Sequence, residues 1–267
     1  MRIGCQIGMW KGDEPFEEKV AAVGRTGAAG VEVFTHHFEP YANRPAGFKA
    51  LVDAAGPALT GAYFNSADFL NTDAEGAVVA RAAQDCRFLH AAGGAFLLVN
   101  GGLWHGDDQR EYTDGQFAQL AKVANRIGDA AAAAGIQAVI HPHWKCQVET
   151  PADLDRLVAA GLDWRKVGLC VHAAHQYLAG ADPYEIYEKH AAHVRYVHVG
   201  DSDGDRKACP LGRGALDQRR LMQPLLEAGF DGWVIIECTC QGVPPADYAA
   251  EAMEYLRTTW PTVSWDG

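Results

Sequence analysis

Eight of the eleven histidines in this sequence stand at or just past the end of a short apolar run. "VGLCV" (167–171) closes in His172, with His175 three residues on, and "AVI" closes in His141, followed by His143, Lys145 and Glu149. "RYVHVGDSD" carries His198 and Asp201, and "VII" closes in Glu237. An earlier run holds Glu32 and leads into His36 and His37, and another ends in Asn100, with Trp104 and His105 beyond it. One histidine closing a strand is ordinarily a satisfied core or loop residue. Here His141, His172, His198 and Glu237 come from four consecutive runs. Neutral imidazoles and a carboxylate are good metal donors, and once buried they need a partner to offset lost hydration. One divalent metal ion held by these four residues accounts for the pattern. His90, His190 and His193 sit late in helical stretches, where a helix C-terminus suits an imidazole.

The elements that must bring these residues together are eight short apolar runs, at about 3–7, 31–34, 59–63, 95–99, 136–140, 167–171, 194–199 and 233–236. Each is too short for a helix and mostly apolar on both faces, as parallel strands covered on both sides should be. Amphipathic stretches lie between them: Phe117, Leu120, Val123 and Ile127 recur at helical spacing, as do Leu221, Leu225 and Leu226. The joints "RTGAAGVEVF", "HAAGGAFLLV", "AAAGIQAVI" and "EAGFDGWVII" each set a glycine between helix and strand, as a helix C-terminus requires. No GxGxxG follows the first run, which argues against an open nucleotide-binding sheet. The expected fold is a single (β/α)8 TIM barrel over residues 1–267, with its chemistry at the C-terminal ends of the strands.

Bulk properties narrow the partners. Twenty-three Lys and Arg against 34 Asp and Glu give a net charge of -11, without the basic stripe that a nucleic acid or an anionic membrane would need. The seven cysteines form no CxxC pair, and Cys5, Cys170 and Cys238 lie within or just past apolar runs; the chain reads as reduced and cytoplasmic. No apolar run approaches the ~18 residues of a membrane span, and the N-terminus has no signal-peptide core.

In family order the segments "HPHW…VETPADLDRL", "VGLCVHAAHQYLAGADP", "VRYVHVGDSD", "LGRGALD" and "GFDGWVIIE" resemble the xylose isomerase-like barrels of sugar isomerases and epimerases, and within them the inosose dehydratases. In the epimerase branch the resemblance implies metal ligands at a glutamate ending strand 5, an aspartate ending strand 6, a histidine on strand 7 and a glutamate on strand 8. His198 and Glu237 match the last two, while His141 and His172 stand where the first two carboxylates would be. Glu149 either swings back to restore a carboxylate ligand or is a first-turn glutamate favoured by the helix dipole. Replacing two carboxylates by imidazoles shifts preference from Mg²⁺ toward Mn²⁺, Fe²⁺, Co²⁺ or Zn²⁺ and gives a stronger Lewis acid. It also removes one of the two opposed glutamates that an epimerase uses.

The chemistry implied is enolisation beside a ketone of a sugar or polyol, by an inosose dehydratase-like lyase or a keto-sugar isomerase or epimerase. His143, Lys145, His175 and Glu149 are the candidates to move protons. Lys145 also reads as a solvated loop lysine. Glu32 reads either as a ligand for a sugar hydroxyl or as a buried glutamate capped by backbone donors. Trp10, Trp104 and Trp144 could stack on a sugar ring, though each alone reads as packing. Arg213, with Arg206 and Lys207, lies where barrels often hold phosphate. The resemblance also implies a homo-oligomer or a small second subunit, the latter if the reaction is cleavage of C-glycosides of 3-keto sugars. The rivals are a metal- or sugar-binding barrel without activity and an endonuclease, the latter opposed by the negative charge.

Overall fold

In the computed structural model, which describes residues 1–106, 111–238, 240 and 242–265, eight parallel strands close into one barrel. They are β1 (Arg2–Gln6), β2 (Gly30–Phe34), β3 (Ala58–Phe64), β4 (Phe96–Asn100), β5 (Gln137–His141), β6 (Val167–Val171), β7 (Val194–Val199) and β10 (Trp233–Ile236). A two-stranded ribbon, β8 (Asp201–Ser202) with β9 (Ala208–Cys209), follows β7. The barrel closes where β1 pairs with β10, Arg2 opposite Trp233 and Cys5 opposite Ile236.

Helices fill the crossovers. In chain order they are α1 (Phe16–Arg25), α2 (Pro45–Ala55), α3 (Glu75–Ala91), α4 (Asp114–Ala133) and α5 (Pro151–Ala159). After β6 come the short helices α6 (Ala173–Leu178) and α7 (Glu185–His190), and α8 (Gln218–Glu227) and α9 (Pro245–Thr259) complete the shell. The four joint glycines do what the sequence asks of them: Gly27, Gly93, Gly135 and Gly229 take φ values of 79°, 89°, 75° and 75°. An L-residue would be strained there, so glycine stops each helix and releases the chain into the next strand. None of the described helices is long and apolar enough to cross a membrane.

Alternation along the strands divides the core in two. Outward residues such as Ile140, Leu169, Val171, Val197 and Ile236 pack under the helices. Inward residues Leu98, Val139, Cys170, Tyr196, Trp233 and Ile235 form a separate plug inside the barrel. Each large side chain fully buried this way contributes about 1.5–3 kcal/mol. The plug is the rigid floor on which the mouth of the barrel is built, and Tyr196 ties it to β3 through a 2.7 Å hydrogen bond to the Thr60 hydroxyl.

Candidate metal centre

Successive side chains of a strand point to opposite faces, so a residue two positions beyond an inward one is also inward. His141 is two beyond Val139, His172 two beyond Cys170, His198 two beyond Tyr196 and Glu237 two beyond Ile235. One plug layer therefore places all four above it, at the C-terminal mouth. Their donor atoms meet at a carboxylate oxygen: Glu237 Oε2 lies 2.5 Å from His198 Nδ1, 3.2 Å from His172 Nδ1 and 3.9 Å from His141 Nε2. His141, His172 and His198 are at most 3% exposed, and the Glu237 side chain is 22% exposed, its face toward the mouth.

These contacts are close without being hydrogen bonds. Neither nitrogen of His172 has a hydrogen-bond partner, nor has Glu237 Oε2, although the distance alone would permit one. His141 Nε2 and His198 Nδ1 are hydrogen-bonded to each other at 3.0 Å, whereas the His172 nitrogens, beside the same carboxylate and without a partner, are what a shared cation satisfies. Donor atoms of His141, His172, His175 and Glu237 lie within 4.8 Å of one another, as do those of His141, Cys170 and His198. By that spacing His141, His172, His175 and Glu237 fit a divalent ion, and His198 groups instead with His141 and Cys170.

Electrostatics keeps three of the four donors in the required state. Burial pushes His141 and His172 below the usual imidazole range, so both are neutral near pH 7. Burial alone would raise the Glu237 carboxyl, but the adjoining His198, His141 and His172 hold it well below the usual carboxylate range. His198 is the exception. Burial pushes it down, yet the carboxylates of Glu32 and Glu237 outweigh that and lift it to about 10. Its Nε2 donates to Glu32 Oε2 at 2.7 Å, which leaves Nδ1 turned toward Glu237. Glu32 itself is fully buried on β2, and its Oε1 has no hydrogen-bond partner. It is thus neither capped by backbone nor open to a sugar: it fixes the ring of His198, as carboxylates behind metal-bound histidines do.

A second pair of imidazoles stands beside the four. His172 caps the start of α6, and the first turn of that helix brings His175 back, its N–H donating to the His172 carbonyl at 3.1 Å. The His175 ring lies 4.2 Å from His172 and 3.7 Å from His143, and neither of its nitrogens is hydrogen-bonded. Burial and the neighbouring imidazoles push His143 down to about 3 and His175 well below the usual imidazole range, so both are neutral at neutral pH.

The other candidates are spread more widely. Glu149 is not brought to the cluster. Its Oε1 accepts from the Lys145 backbone N–H at 2.8 Å, and its Oε2 lies 4.0 Å from His105 Nε2. Lys145, at φ 65°, lays its ammonium over the Trp144 ring at 4.2 Å. Trp104 is 48% exposed and stands 5.4 Å from the His143 ring, at the mouth. Trp10 lines a different cavity, with Cys238, Cys240 and Tyr248, to which neither of the other two tryptophans contributes. Arg213 points outward and pairs with Glu251 of α9 at 3.2 Å. His36 and His37 serve the short helix after β2, where His37 Nδ1 accepts from Phe34 N–H and its ring stacks on Phe16.

Tyr63 at the mouth escaped the motif reading, and Asn100, named there as the end of its run, was given no role. Tyr63 on β3 donates to Asn100 Oδ1 at 2.6 Å and presents its ring to His141 at 5.7 Å. Its signal was the inward register of β3, which no histidine or carboxylate marks. Asn100, buried at the end of β4, also accepts from Gly101 N–H and holds Asn65, so it braces that side of the mouth.

Residues 20–259 match the family profile described as xylose isomerase-like TIM barrel, and the chain belongs to that family. An inosose dehydratase of Lacticaseibacillus casei is 28% identical over 91% of this chain and 89% of its own length. One from Geobacillus thermodenitrificans is 25% identical over 93% and 91%. Among solved structures, a protein described as IOLI with a bound zinc atom superposes with a TM-score of 0.78 at 13% identity, covering 98% of this chain and 99% of its own. The 3-keto-D-glucoside 4-epimerase YcjR of E. coli reaches 0.74 at 20% identity, covering 97% and 99%. At such identities the structural likeness establishes the fold.

Proposed function

We propose that this chain is a metal-dependent enzyme that removes the proton beside a ketone in a cyclic polyol or sugar, with dehydration of a keto-inositol as its first candidate reaction. The observation that carries the proposal is the meeting of His141 Nε2, His172 Nδ1 and His198 Nδ1 at one oxygen of Glu237. Those four residues would hold one divalent ion, Mn²⁺, Fe²⁺, Co²⁺ or Zn²⁺. When bound, such an ion supplies Lewis acidity at a ketone oxygen.

The chain's own residues do the rest. Glu32 keeps Nε2 of His198 protonated and so presents Nδ1 to the centre. His143, half-buried, and His175, buried, both neutral, are placed to take the proton from the carbon beside the ketone and to return one to the departing hydroxyl. Trp104 offers its exposed face to the ring, and the braced pair Tyr63–Asn100 stands beside it at the mouth. Elimination fits this arrangement better than epimerisation. Inverting a carbon by two bases needs a group on each face, and the second carboxylate that would serve, Glu149, is engaged with Lys145 and His105. Similarity to inosose dehydratases across nearly the whole chain supports the same choice.

Metal analysis of purified protein beside His172→Ala is the first test, followed by incubation with a keto-inositol in deuterated buffer. About one metal per chain, lost in the variant, with deuterium uptake beside the ketone and loss of one water, is the expected result. Deuterium uptake without water loss would point to isomerase or epimerase chemistry. No metal after loading with each of the four ions would overturn the proposal.

A further inference from the structure

A cavity of about 730 Å³ opens between the segment after β2, the end of β3 and helix α3. None of His141, His143, His172, His175, His198 or Glu237 lines it, so a ring seated at the cluster leaves it unfilled. One residue joins the two spaces. Tyr63 lines the cavity, and its ring stands edge-on to His141 at 5.7 Å and to His143 at 6.4 Å.

Beyond Tyr63 the wall is a sequence of flat faces. Phe34 meets the Tyr63 ring at 5.9 Å, and His36 lies nearly parallel to Phe34, 5.3 Å away at 14°. Helix α3 supplies the polar side, with Arg81 and Asp85. Arg81 is held in place by a hydrogen bond to the Asn65 carbonyl and by stacking on Phe64 at 4.4 Å. Flat rings on one side and anchored hydrogen-bonding groups on the other suit a ring with polar substituents at its edge. The volume lies within the ~300–1,000 Å³ of sites that enclose ligands well beyond a single six-membered ring.

From this juxtaposition we infer that the site also takes substrates with a second ring: the keto ring lies over the His141–Glu237 cluster, and a linked ring, as in a keto-glycoside, occupies the cavity beyond Tyr63. The inference rests on the proposed function for its first ring alone. Occupancy of the cavity by the second ring is a binding property that can be measured without turnover.

The test is isothermal titration of the metal-loaded protein with three unreactive probes: myo-inositol, cellobiose and phenyl β-glucoside. At least one two-ring probe is expected to bind tenfold or more tightly than myo-inositol. Filling the cavity from its rim with Ala42→Trp, or separately Gln84→Trp, should abolish that advantage and leave myo-inositol binding within twofold. Preference for cellobiose or for the phenyl glucoside would identify the second ring as sugar or aromatic. Equal binding of one-ring and two-ring probes, or fill variants that weaken all three probes alike, would overturn the inference. Failure of the enolising reading would show instead as absent metal and absent deuterium uptake, with the second-ring preference intact.

Discussion

Glu32→Gln separates a carboxylate that tunes a metal ligand from one that is merely buried. Glu32 and His198 are at most 1% exposed, and their contact is 2.7 Å. Glutamine keeps the shape and one acceptor oxygen but removes the charge behind the imidazole. Loss of such a carboxylate costs about 10–100-fold in metal affinity, which is about 1.4–2.8 kcal/mol. Metal bound only to the folded chain stabilises it by its binding free energy. For a chain of this length about 1 kcal/mol corresponds to ~2 °C in Tm. The rise in Tm on adding metal should therefore be ~3–6 °C smaller in the variant.

A second effect is expected and is separable. Glu32 Oε1 has no hydrogen-bond partner, so an amide nitrogen placed there has no acceptor either. That costs about 1–3 kcal/mol, but with and without metal alike, so it lowers both melting curves and cancels in their difference. Thermal melts with and without Mn²⁺ or Zn²⁺, together with competition against a chelator for Kd, read the two effects apart. A variant with lower baseline Tm but an unchanged metal increment and Kd would refute the reasoning: Glu32 would be a buried ion-pair partner, and His198 would not be a ligand.

Three further outcomes are expected. A Cβ on Gly200 would stand 2.9 Å from His172 Nε2 and 2.9 Å from the Glu237 carbonyl; Gly200→Ala should weaken metal binding about tenfold by displacing the softer neighbour, His172, which the same chelator competition measures. Asp201 accepts from the N–H groups of Ser202, Gly212, Gly214 and Leu216; an amide cannot accept at both ends, so Asp201→Asn should cost about 3 kcal/mol, read as a Tm about 6 °C lower. Burial lifts the Asp85 carboxyl to about 6, against the pull of Arg81 and of its hydrogen bond to Thr35. The folded chain then binds this proton more tightly than the unfolded one, so stability is greater below about pH 4 and declines as pH rises toward 6. Because the group is partly exposed the decline is on the order of 1 kcal/mol; urea melts across that range should show Asp85→Asn without it, and an identical slope in the variant would sink the assignment.

The barrel was legible because its strands are buried on both faces and so appear as uninterrupted apolar runs. Each of the eight runs matches a strand to within one residue at either end. Four of the cluster residues were legible for a related reason: a polar residue closing such a run has nowhere to point except into the mouth. Spacing along the chain said less about residues in the loops. His105, Glu149 and Arg213 lie 5, 8 and 14 residues past the ends of β4, β5 and β7, against 2 and 4 for His143 and His175 past β5 and β6. Which of them returns to the axis depends on how each loop turns, and the loop after β5 turns Glu149 toward His105. The role of Glu32 was hidden for another reason. Its partner, His198, is 166 residues away and lies across the barrel axis. A charged residue in the middle of an apolar run announces that some partner exists and leaves its identity to the closure of the barrel.

On the proposed reading three imidazoles and one carboxylate would leave a divalent ion with one positive charge, where the epimerase-type set of three carboxylates and one imidazole would leave one negative charge. The barrel supplies the missing negative charge from Glu32, behind the His198 ring. Placed there, the carboxylate balances the charge of the whole cluster without donating directly to the ion. On the proposed reading the consequence is twofold. Nitrogen-rich donation favours Mn²⁺, Fe²⁺, Co²⁺ or Zn²⁺ over Mg²⁺, and the ion keeps more of its polarising power for a ketone oxygen than direct carboxylate ligation would leave it. Proton transfer then falls to neutral imidazoles, His143 and His175, whose rings stand 3.7 Å apart and so serve one region of the site. Acid and base on one side can take a proton and release a neighbouring hydroxyl, whereas they cannot invert a carbon from opposite faces. The substitutions that depart from the epimerase pattern thus favour loss of water by the same physical route that selects the metal.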